Sequence, residues 1–464
     1  MTKWLNNAIR YVDEWLDFQM RLTRQPGCVL AFANKGRLIF EKAYGHADVV
    51  HRRRMTPRHR FRVASHSKSF TAAAILRLKE EGKLRLDDLA GTYVEGLHPS
   101  VARVTLSQLL SHGAGVVRDG RDAGQWSDER AFADRTELRA ALAEPLVIPP
   151  DSRMKYSNHG FGLLGLVIES VTGETYGSWI TRNIVRTSGL RETTPDMPVA
   201  RGTPLARGHG SHLPLDRRVV IPADNCTRGL APATGFVSTA GDLARFFASL
   251  DPDSRRSVLT PESRRAMIHW QWRDPHSSDD GGYGLGMCLG FFGGLEWAGH
   301  GGAFQGVRSC TVMLPGSGLC FSVLANATDG LAEPWAEGIV RILRVFRDNP
   351  LPGPSARSWT GRWWNSGEAV DLVAFGNRVL VAQPDRLDPF KAADEITLTE
   401  EHQGTISLSG GYGIHGEPAR LERGRDGKVN EVWFGGFRWV GERRHRAELK
   451  RKYMGRHGSR RLSP

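Results

Sequence analysis

A serine and a lysine stand in this chain at a spacing that suits acyl transfer. Ser65 and Lys68 form an SxxK pattern within FRVASHSKSF, between a strand-like FRVA and a predicted helix. Positions i and i+3 share a face of a helix, so the hydroxyl and the amine are expected to meet. Burial can lower the pKa of a lysine until it accepts a serine proton, and a helix amino terminus favours negative charge. The pair therefore predicts a serine nucleophile with a lysine base.

Tyr156 and His300 supply two further elements. Tyr156 is the only one of eight tyrosines followed two residues later by asparagine, here Asn158. Its phenol is expected to relay a proton to the leaving group as a general acid and base. His300 precedes Gly301 and Gly302 at the start of a strand-like run. Glycines there allow a substrate to approach the backbone, and an N–H group could complete an oxyanion hole.

Each element also has a structural interpretation. Ser65 could be a helix cap, Tyr156 a core tyrosine and His300 a histidine with satisfied hydrogen bonds. The chain repeats the SxxK pattern at residues 152–155, where no helix begins, and the His-x-Gly pattern at residues 402–404. The hydrolase interpretation depends on the three elements occurring together, in this order and separated by roughly 90 and 140 residues.

With these motifs the sequence resembles the β-lactamase-like serine hydrolases, which include class C β-lactamases, penicillin-binding peptidases, D-aminopeptidases and related esterases. The resemblance covers roughly residues 25–345. It extends to VTLSQLLSHGAGV (104–116), PPDSRMKYSNHGFGLLGLVIESVTG (149–173), GFVSTAGDLARF (235–246), YGLGM (283–287) and LCFSVLAN (319–326). It implies an α/β (α+β) fold, with an antiparallel sheet flanked by helices and a helical subdomain inserted between the first and third motifs.

The resemblance also implies roles for individual residues. Ser65 is expected to be the nucleophile, and Lys68 with Tyr156 the proton relay. Asn158 is expected to position the substrate amide. The backbone N–H groups of Ser65 and Ala303 are expected to form the oxyanion hole.

His300 departs from the pattern of classical β-lactamases and penicillin-binding proteins, which have Lys-Thr-Gly at this place. That lysine helps to hold the β-lactam carboxylate, whereas a histidine is mostly neutral near pH 7. His-x-Gly is similar to the D-aminopeptidases, so a D-aminopeptidase-like or amidase-like activity is favoured. A carboxylesterase, a weak β-lactamase and a catalytically silent binding scaffold remain alternatives. D-aminopeptidases carry two carboxy-terminal barrels, and the last ~110 residues here allow only one.

The chain is predicted to have four parts: a catalytic domain at 1–348, a proline-rich linker at 349–357, a β-barrel-like domain at 358–442 and a basic tail at 443–464. Short runs of alternating polarity about ten residues apart predict a small antiparallel barrel or half-barrel. Residues 441–464 contain nine Lys or Arg and two Glu, a net +7 of the chain's +13. We interpret this tail as a solvated terminus and expect no nucleic-acid binding.

The composition is that of a globular protein, since 40% of the 464 residues are hydrophobic and 24% are charged. It excludes a disordered or fibrous chain. No run reaches about 18 apolar residues, so no membrane span is predicted. Asp13, Glu14 and Asp17 interrupt the apolar positions of an amphipathic N-terminal helix, which argues against a secretory signal. Five cysteines without CxxC spacing indicate a reducing compartment, so a cytoplasmic location is predicted.

Motifs of other enzyme classes, namely GxSxG, HExxH, GxxxxGK[ST] and CxxC, are absent from the sequence. His209 and His212 form only an HxxH pattern, which we interpret as surface residues rather than metal ligands. No cofactor and no metal are expected. The expected partner is a small-molecule or short-peptide substrate, and a homo-oligomer is left open. His66, His112 and Arg308 receive no role.

Overall fold

The computed structural model describes residues 2–275, 280–410 and 413–454. Contacts among these residues divide the chain into two compact units. One unit is residues 23–336, and the other combines residues up to 22 with those from 337 onwards. The first helix is thus grouped with the C-terminal region. The sequence-based boundaries, which place that helix with the catalytic residues, stay a prediction.

Strands of the 23–336 unit form one large sheet and two small ones. In chain order the strands are β1 (Gly27–Asn34), β2 (Arg37–Asp48), β3 (Arg53–Arg54), β4 (Phe61–Arg62), β5 (Gly208–His209), β6 (Val220–Ile221), β7 (Val237–Ser238), β8 (Trp272–Arg273), β9 (Gly282–Tyr283), β10 (Cys288–Phe292), β11 (Leu295–Phe304), β12 (Val307–Leu314) and β13 (Leu319–Ala325). Within the described residues the large antiparallel sheet has nine strands, in the order β3-β2-β1-β13-β12-β11-β10-β9-β8. Strands β4 and β7 pair separately, as do β5 and β6.

Helices flank this sheet, as the sequence predicts. The helices of this unit are α2 (His66–Glu80), α3 (Pro99–Ala102), α4 (Leu106–Leu110), α5 (Arg135–Leu142), α6 (Asn158–Thr172), α7 (Tyr176–Ile180), α8 (Ala231–Thr234), α9 (Ala240–Ser249) and α10 (Pro261–Met267). Helices α1 (Lys3–Leu22) and α12 (Glu442–Leu449) belong to the second unit, and α11 (Ala332–Asp348) begins at the end of the first unit and continues into the second. The predicted β-lactamase-like α+β architecture is therefore confirmed.

Local sequence explains the elements that carry the motifs. The hairpins predicted around Lys35-Gly36 and around residues 315–318 are present as β1–β2 and β12–β13. Helix α6 begins where the Ser157 hydroxyl accepts the N–H of Gly160 at 2.8 Å, and it ends at Gly173, whose φ is +69°. Because a residue with positive φ is usually glycine, Gly173 marks the C-terminus sharply.

The second unit contains a closed antiparallel barrel. Its strands are β14 (Gly361–Trp364), β15 (Ala369–Phe375), β16 (Arg378–Ala382), β17 (Asp394–Leu398), β18 (Gln403–Leu408), β19 (Pro418–Arg423), β20 (Val429–Phe434) and β21 (Phe437–Val440). In the described part of the unit these eight strands close, because β21 also pairs with β14 through Val440 and Trp364. The predicted barrel is confirmed, in its closed form. Residues 455–464 of the predicted basic tail lie outside the described residues.

Residues of the predicted linker take part in this unit. A short 3-10 helix spans Ser355–Trp359, and Ala356 and Trp359 are buried in the apolar core of the barrel. Helix α1 belongs to the same unit. Its fully buried Trp15 donates from Nε1 to the carbonyl of Arg386 at 3.1 Å. Among the described residues, no helix is long and apolar enough to cross a membrane.

Trp15→Ala is expected to loosen the barrel unit. The substitution removes a buried indole and its hydrogen bond to a barrel loop, a loss of about 3–5 kcal/mol. Hydrogen exchange of the amides in β14–β21 should speed up accordingly. Asp17→Ala, an exposed change on the same helix, should leave the exchange unaltered. Equal exchange in wild type and Trp15→Ala would show that α1 does not stabilise the barrel.

Candidate active site

Ser65 lies at the amino end of α2, just after a strained residue. Ala64 has φ of +48°, in the left-handed region that non-glycine residues rarely adopt. In the described structure the Ser65 hydroxyl makes no capping hydrogen bond, although the residue occupies the N-cap position. The hydroxyl points instead to two other side chains. The interpretation of Ser65 as a plain helix cap therefore does not fit its contacts.

The structure brings Ser65, Lys68 and Tyr156 together. Lys68 Nζ lies 3.3 Å from Ser65 Oγ. The Tyr156 phenol donates to the same Ser65 oxygen at 2.8 Å. Burial raises the pKa of Tyr156, so the phenol keeps its hydrogen near neutral pH. A hydroxyl that accepts from Tyr156 has its own hydrogen free to point towards the lysine.

Lys68 is fully buried, and its amine is held by two oxygens besides that of Ser65 in the described residues. Nζ donates to Asn158 Oδ1 at 2.7 Å and to the carbonyl of Ala233 at 2.9 Å. Burial lowers the pKa of Lys68 to about 7, because a desolvated ammonium is unfavourable. A neutral amine has two N–H donors and one lone pair. The two short bonds can use both donors, which leaves the lone pair for Ser65.

Asp119 is a residue that the sequence analysis missed. Asn158 donates from Nδ2 to Asp119 Oδ1 at 2.6 Å, and Arg118 donates from Nε to Asp119 Oδ2 at 3.0 Å. The Asp119 charge opposes the lowering of the Lys68 pKa by burial. Both ends of the Asn158 amide are thus occupied, by Lys68 and Asp119. Its predicted contact with a substrate amide stays a prediction.

His300 is buried and has partners on both ring nitrogens. Nδ1 lies 2.6 Å from the carbonyl of Gly301, which can only accept, so Nδ1 carries the hydrogen. Nε2 then accepts from the Tyr283 hydroxyl at 3.0 Å. Burial, with His66 and Lys68 nearby, holds the pKa of His300 well below its usual value. His300 is therefore neutral and contributes no positive charge to the cleft.

The glycines after His300 serve different purposes. A Cβ on Gly302 would lie 2.3 Å from the carbonyl oxygen of Val63, so only glycine lets β11 approach the residues before Ser65. Around Gly301 the nearest atom to such a Cβ is the Ser309 carbonyl oxygen, at 3.7 Å, which leaves room beside the strand. Ala303 is exposed on the same strand. Gly302 thus positions the two halves of the site against each other.

A cleft of about 760 Å³ in the 23–336 unit joins these residues. Ser65, Tyr156, Asn158, His300, Gly301, Gly302 and Ala303 all line it. Apolar and aromatic residues form much of the remaining wall: Trp126, Met154, Tyr283, Leu289, Phe292 and Trp297. The arrangement places a potential nucleophile and its proton partners at the wall of an open, partly apolar cleft, as a hydrolase of small substrates requires.

Other candidate residues are accounted for structurally. Ser152 of the second SxxK copy is exposed and donates to the carbonyl of Pro149 at 2.6 Å. His209 is buried rather than at the surface, and its ring bonds the N–H of Val49 and the carbonyl of Asn326. His66 is buried and bonds the Val63 carbonyl and a threonine hydroxyl. Within the described residues, no group of three or more His, Cys, Asp or Glu could hold a metal ion.

Comparison with known sequences identifies one family. The family profile described as Beta-lactamase matches residues 12–342. The chain is 29% identical over 195 residues to Protein flp of Staphylococcus aureus (strain MW2), covering 41% of this chain and 39% of that protein. It is 29% identical over 315 residues to Penicillin-binding protein 4 of Amycolatopsis lactamdurans, covering 63% and 81%. The match to Protein flp thus spans about two fifths of that relative's length.

Similarity to solved structures covers more of the chain than similarity to these two sequences does. The octameric penicillin-binding protein homologue from Pyrococcus abyssi covers 93% of this chain and 100% of its own, with 22% identity and a TM-score of 0.65. A D-stereospecific amidohydrolase from Streptomyces sp. covers 68% of this chain and 94% of its own, with 26% identity and a TM-score of 0.58. The first likeness shows that the fold is shared over nearly the whole chain.

Lys68→Met is expected to change how stability depends on pH. The Lys68 pKa is near 7 in the folded protein and near 10.4 in an unfolded chain, so the unfolded state binds more protons between these values. Wild-type stability should therefore gain up to about 1.4 kcal/mol per pH unit across that window, relative to the variant. Urea unfolding of both proteins from pH 6.5 to 9.5 measures the difference. A constant difference would contradict the lowered pKa.

Proposed function

Because this chain belongs to the Beta-lactamase family, we propose that it is a serine hydrolase that forms an acyl-enzyme on Ser65. The proposed substrates are small amides, peptides or esters, with D-amino-acid amides and short peptides favoured. The observation that carries the proposal is the pair of contacts at Ser65 Oγ, 3.3 Å from Lys68 Nζ and 2.8 Å from the Tyr156 hydroxyl. A scaffold that only binds a partner has no need of this assembly.

In the proposed acylation, Ser65 Oγ attacks the substrate carbonyl carbon while its hydrogen passes to neutral Lys68. The carbonyl electrons move to oxygen, which the N–H groups of Ser65 and Ala303 are proposed to receive. The tetrahedral intermediate collapses and breaks the bond to the leaving group, which takes the hydrogen of Tyr156. Lys68 then returns its proton to Tyr156. Water then attacks the carbonyl carbon of the Ser65 ester while its hydrogen passes to Lys68. The bond to Ser65 Oγ breaks, Oγ takes the hydrogen of Tyr156, and Lys68 again returns its proton to Tyr156.

Amides are favoured over esters because Tyr156 retains its hydrogen. An amine leaves only when it is protonated, whereas the leaving group of an activated ester can depart without a proton. The raised pKa of Tyr156 keeps the phenol able to supply that proton. The likeness to a D-stereospecific amidohydrolase supports the same substrate class. An esterase with the same residues is the second candidate, because the apolar wall of the cleft suits acyl groups without charge.

Two further proposals concern the protein as a whole. We keep the cytoplasmic location as a prediction from the sequence. A homo-oligomer also remains a prediction, to which the octameric homologue from Pyrococcus abyssi gives a precedent. Size-exclusion chromatography with light scattering measures the assembly directly.

Ser65→Ala is expected to abolish turnover and covalent labelling. Loss of the nucleophile should reduce kcat by several powers of ten while the fold is retained. The protein is incubated with D- and L-amino-acid amides, p-nitrophenyl esters and penicillin, and adducts are mapped by peptide mass spectrometry. Ser152→Ala is the matched control, because it removes the serine of the other SxxK copy and should leave turnover and labelling unchanged. Hydrolysis by Ser65→Ala, or an adduct elsewhere, would refute the assignment.

Substrates that carry a free carboxylate are expected to be poor. His300 is neutral and faces Tyr283, so the charge that a lysine would supply at this place is missing. A charge-assisted bond of that kind contributes about 1.5–3 kcal/mol, or ~10-fold to 150-fold in affinity. The measurement compares kcat/KM for a dipeptide with a free carboxylate and for its amide at pH 8. A strong preference for the acid would favour the β-lactamase or carboxypeptidase alternative.

A further inference from the structure

His112 lies behind Tyr156 and takes no part in the mechanism proposed above. The residue is buried, with 2% of its surface exposed. Its imidazole ring centre is 4.2 Å from that of Tyr156, 4.8 Å from that of Tyr283 and 5.1 Å from that of Phe161. The ring therefore packs against the Tyr156 ring, next to the tyrosine that holds His300.

Hydrogen bonds tie His112 to the backbone on both sides of Tyr156. The Ser157 N–H donates to His112 Nδ1 at 3.2 Å. The Lys155 N–H donates to the carbonyl oxygen of His112 at 2.8 Å. One residue thus fixes the main chain before and after Tyr156 and also packs on its ring. These three contacts all involve the residue whose phenol donates to Ser65, or its two chain neighbours.

The chain retains this arrangement although it is unfavourable locally. His112 has φ of +62°, in the left-handed region. Because Nδ1 accepts a hydrogen bond, the neutral ring carries its hydrogen on Nε2. Within the described residues Nε2 is buried and has no hydrogen-bond partner, which costs stability. A phenylalanine would fill similar space without a buried polar atom, so packing alone does not explain a histidine here.

Burial and the basic groups around His112 favour its neutral form. Lys68, His300 and Arg118 are the basic groups that act on it, and each lowers its pKa, after the larger effect of burial. A protonated ring would lose Nδ1 as an acceptor and would repel the Lys68 ammonium. The hydrogen bond to Ser157 therefore persists over the whole range in which Lys68 titrates.

We propose that His112 is a positioning residue that holds Tyr156 in place to give its proton to the leaving group. The proposal rests on the function proposed above. It follows from the Nδ1 bond to Ser157, the carbonyl bond to Lys155 and the ring contact with Tyr156. His112 acts through Tyr156 and does not itself touch the reacting atoms.

The test compares two variants that each keep one part of the histidine. His112→Phe keeps a ring against Tyr156 but has no acceptor for the Ser157 N–H. His112→Asn has an oxygen near the place of Nδ1 and tolerates positive φ, but it lacks the ring. Rates are measured on an amino-acid amide and on the matching p-nitrophenyl ester, with circular dichroism and melting temperature as controls for folding.

The expected signature is a loss that depends on the leaving group. A misplaced Tyr156 should cost His112→Phe about 10²-fold in kcat on the amide, because an amine must be protonated to leave. The loss in kcat/KM on the p-nitrophenyl ester, which reports acylation, should be only a few-fold, because nitrophenolate leaves without a proton. KM for the amide should stay within about twofold, and His112→Asn should retain more amide activity than His112→Phe. His112→Phe combined with Tyr156→Phe should be no slower on the amide than Tyr156→Phe alone.

The remaining outcomes distinguish failure of the His112 proposal from failure of the proposed function. Equal losses on amide and ester would overturn the proposal and leave His112 a structural residue. Additive losses in the combined variant would overturn it as well. If wild type hydrolyses neither substrate and Ser65 is never acylated, the proposed function itself fails. Active wild type with an unaffected His112→Phe would refute only the role of His112.

Discussion

Burial of the Lys68 amine is the interaction on which the rest of the site depends. Removing an ammonium from water costs free energy, so the Lys68 side chain titrates near neutral pH and can act as a base. Such a group is tolerated only when its hydrogen bonds are satisfied. The oxygens that satisfy it come from Asn158 on α6 and Ala233 on α8. Three helices must therefore converge at one point, and the apolar core of the unit keeps them there.

The same constraint explains several unfavourable features around the cleft. Ala64 and His112 both adopt positive φ. Ala64 directly precedes Ser65, and the His112 ring packs against Tyr156. Buried His300 carries no charge, which avoids repulsion between it and Lys68. Asp119 partly offsets the effect of burial, so the Lys68 pKa lies near neutral rather than lower. Strain and burial of this kind are typical of sites that the surrounding fold holds in place.

Local patterns predicted the elements and the central contacts of the site, whereas several other tertiary contacts could not be predicted. The hairpins, helix α2 and the barrel follow from periodicity and turn residues, and the motifs indicated which side chains meet. Asp119 belongs to no spacing pattern, because its bond to Asn158 joins a loop to the start of α6, and only the fold brings these two segments together. The grouping of α1 with the barrel could not be predicted, since an amphipathic helix shows that one face is buried but not what covers it. For Gly302, the sequence suggested room for a substrate, but the close approach of Val63 requires the glycine.

The protonation state of Lys68 tests the account most directly. Lysine labelled with ¹³C at Cε reports the charge of each amine through its chemical shift, and the Lys68→Met variant assigns the resonance. We predict that the Lys68 signal titrates with a midpoint near pH 7. A Lys68 that stays charged up to pH 9 would contradict the account, because the serine would then have no base at neutral pH.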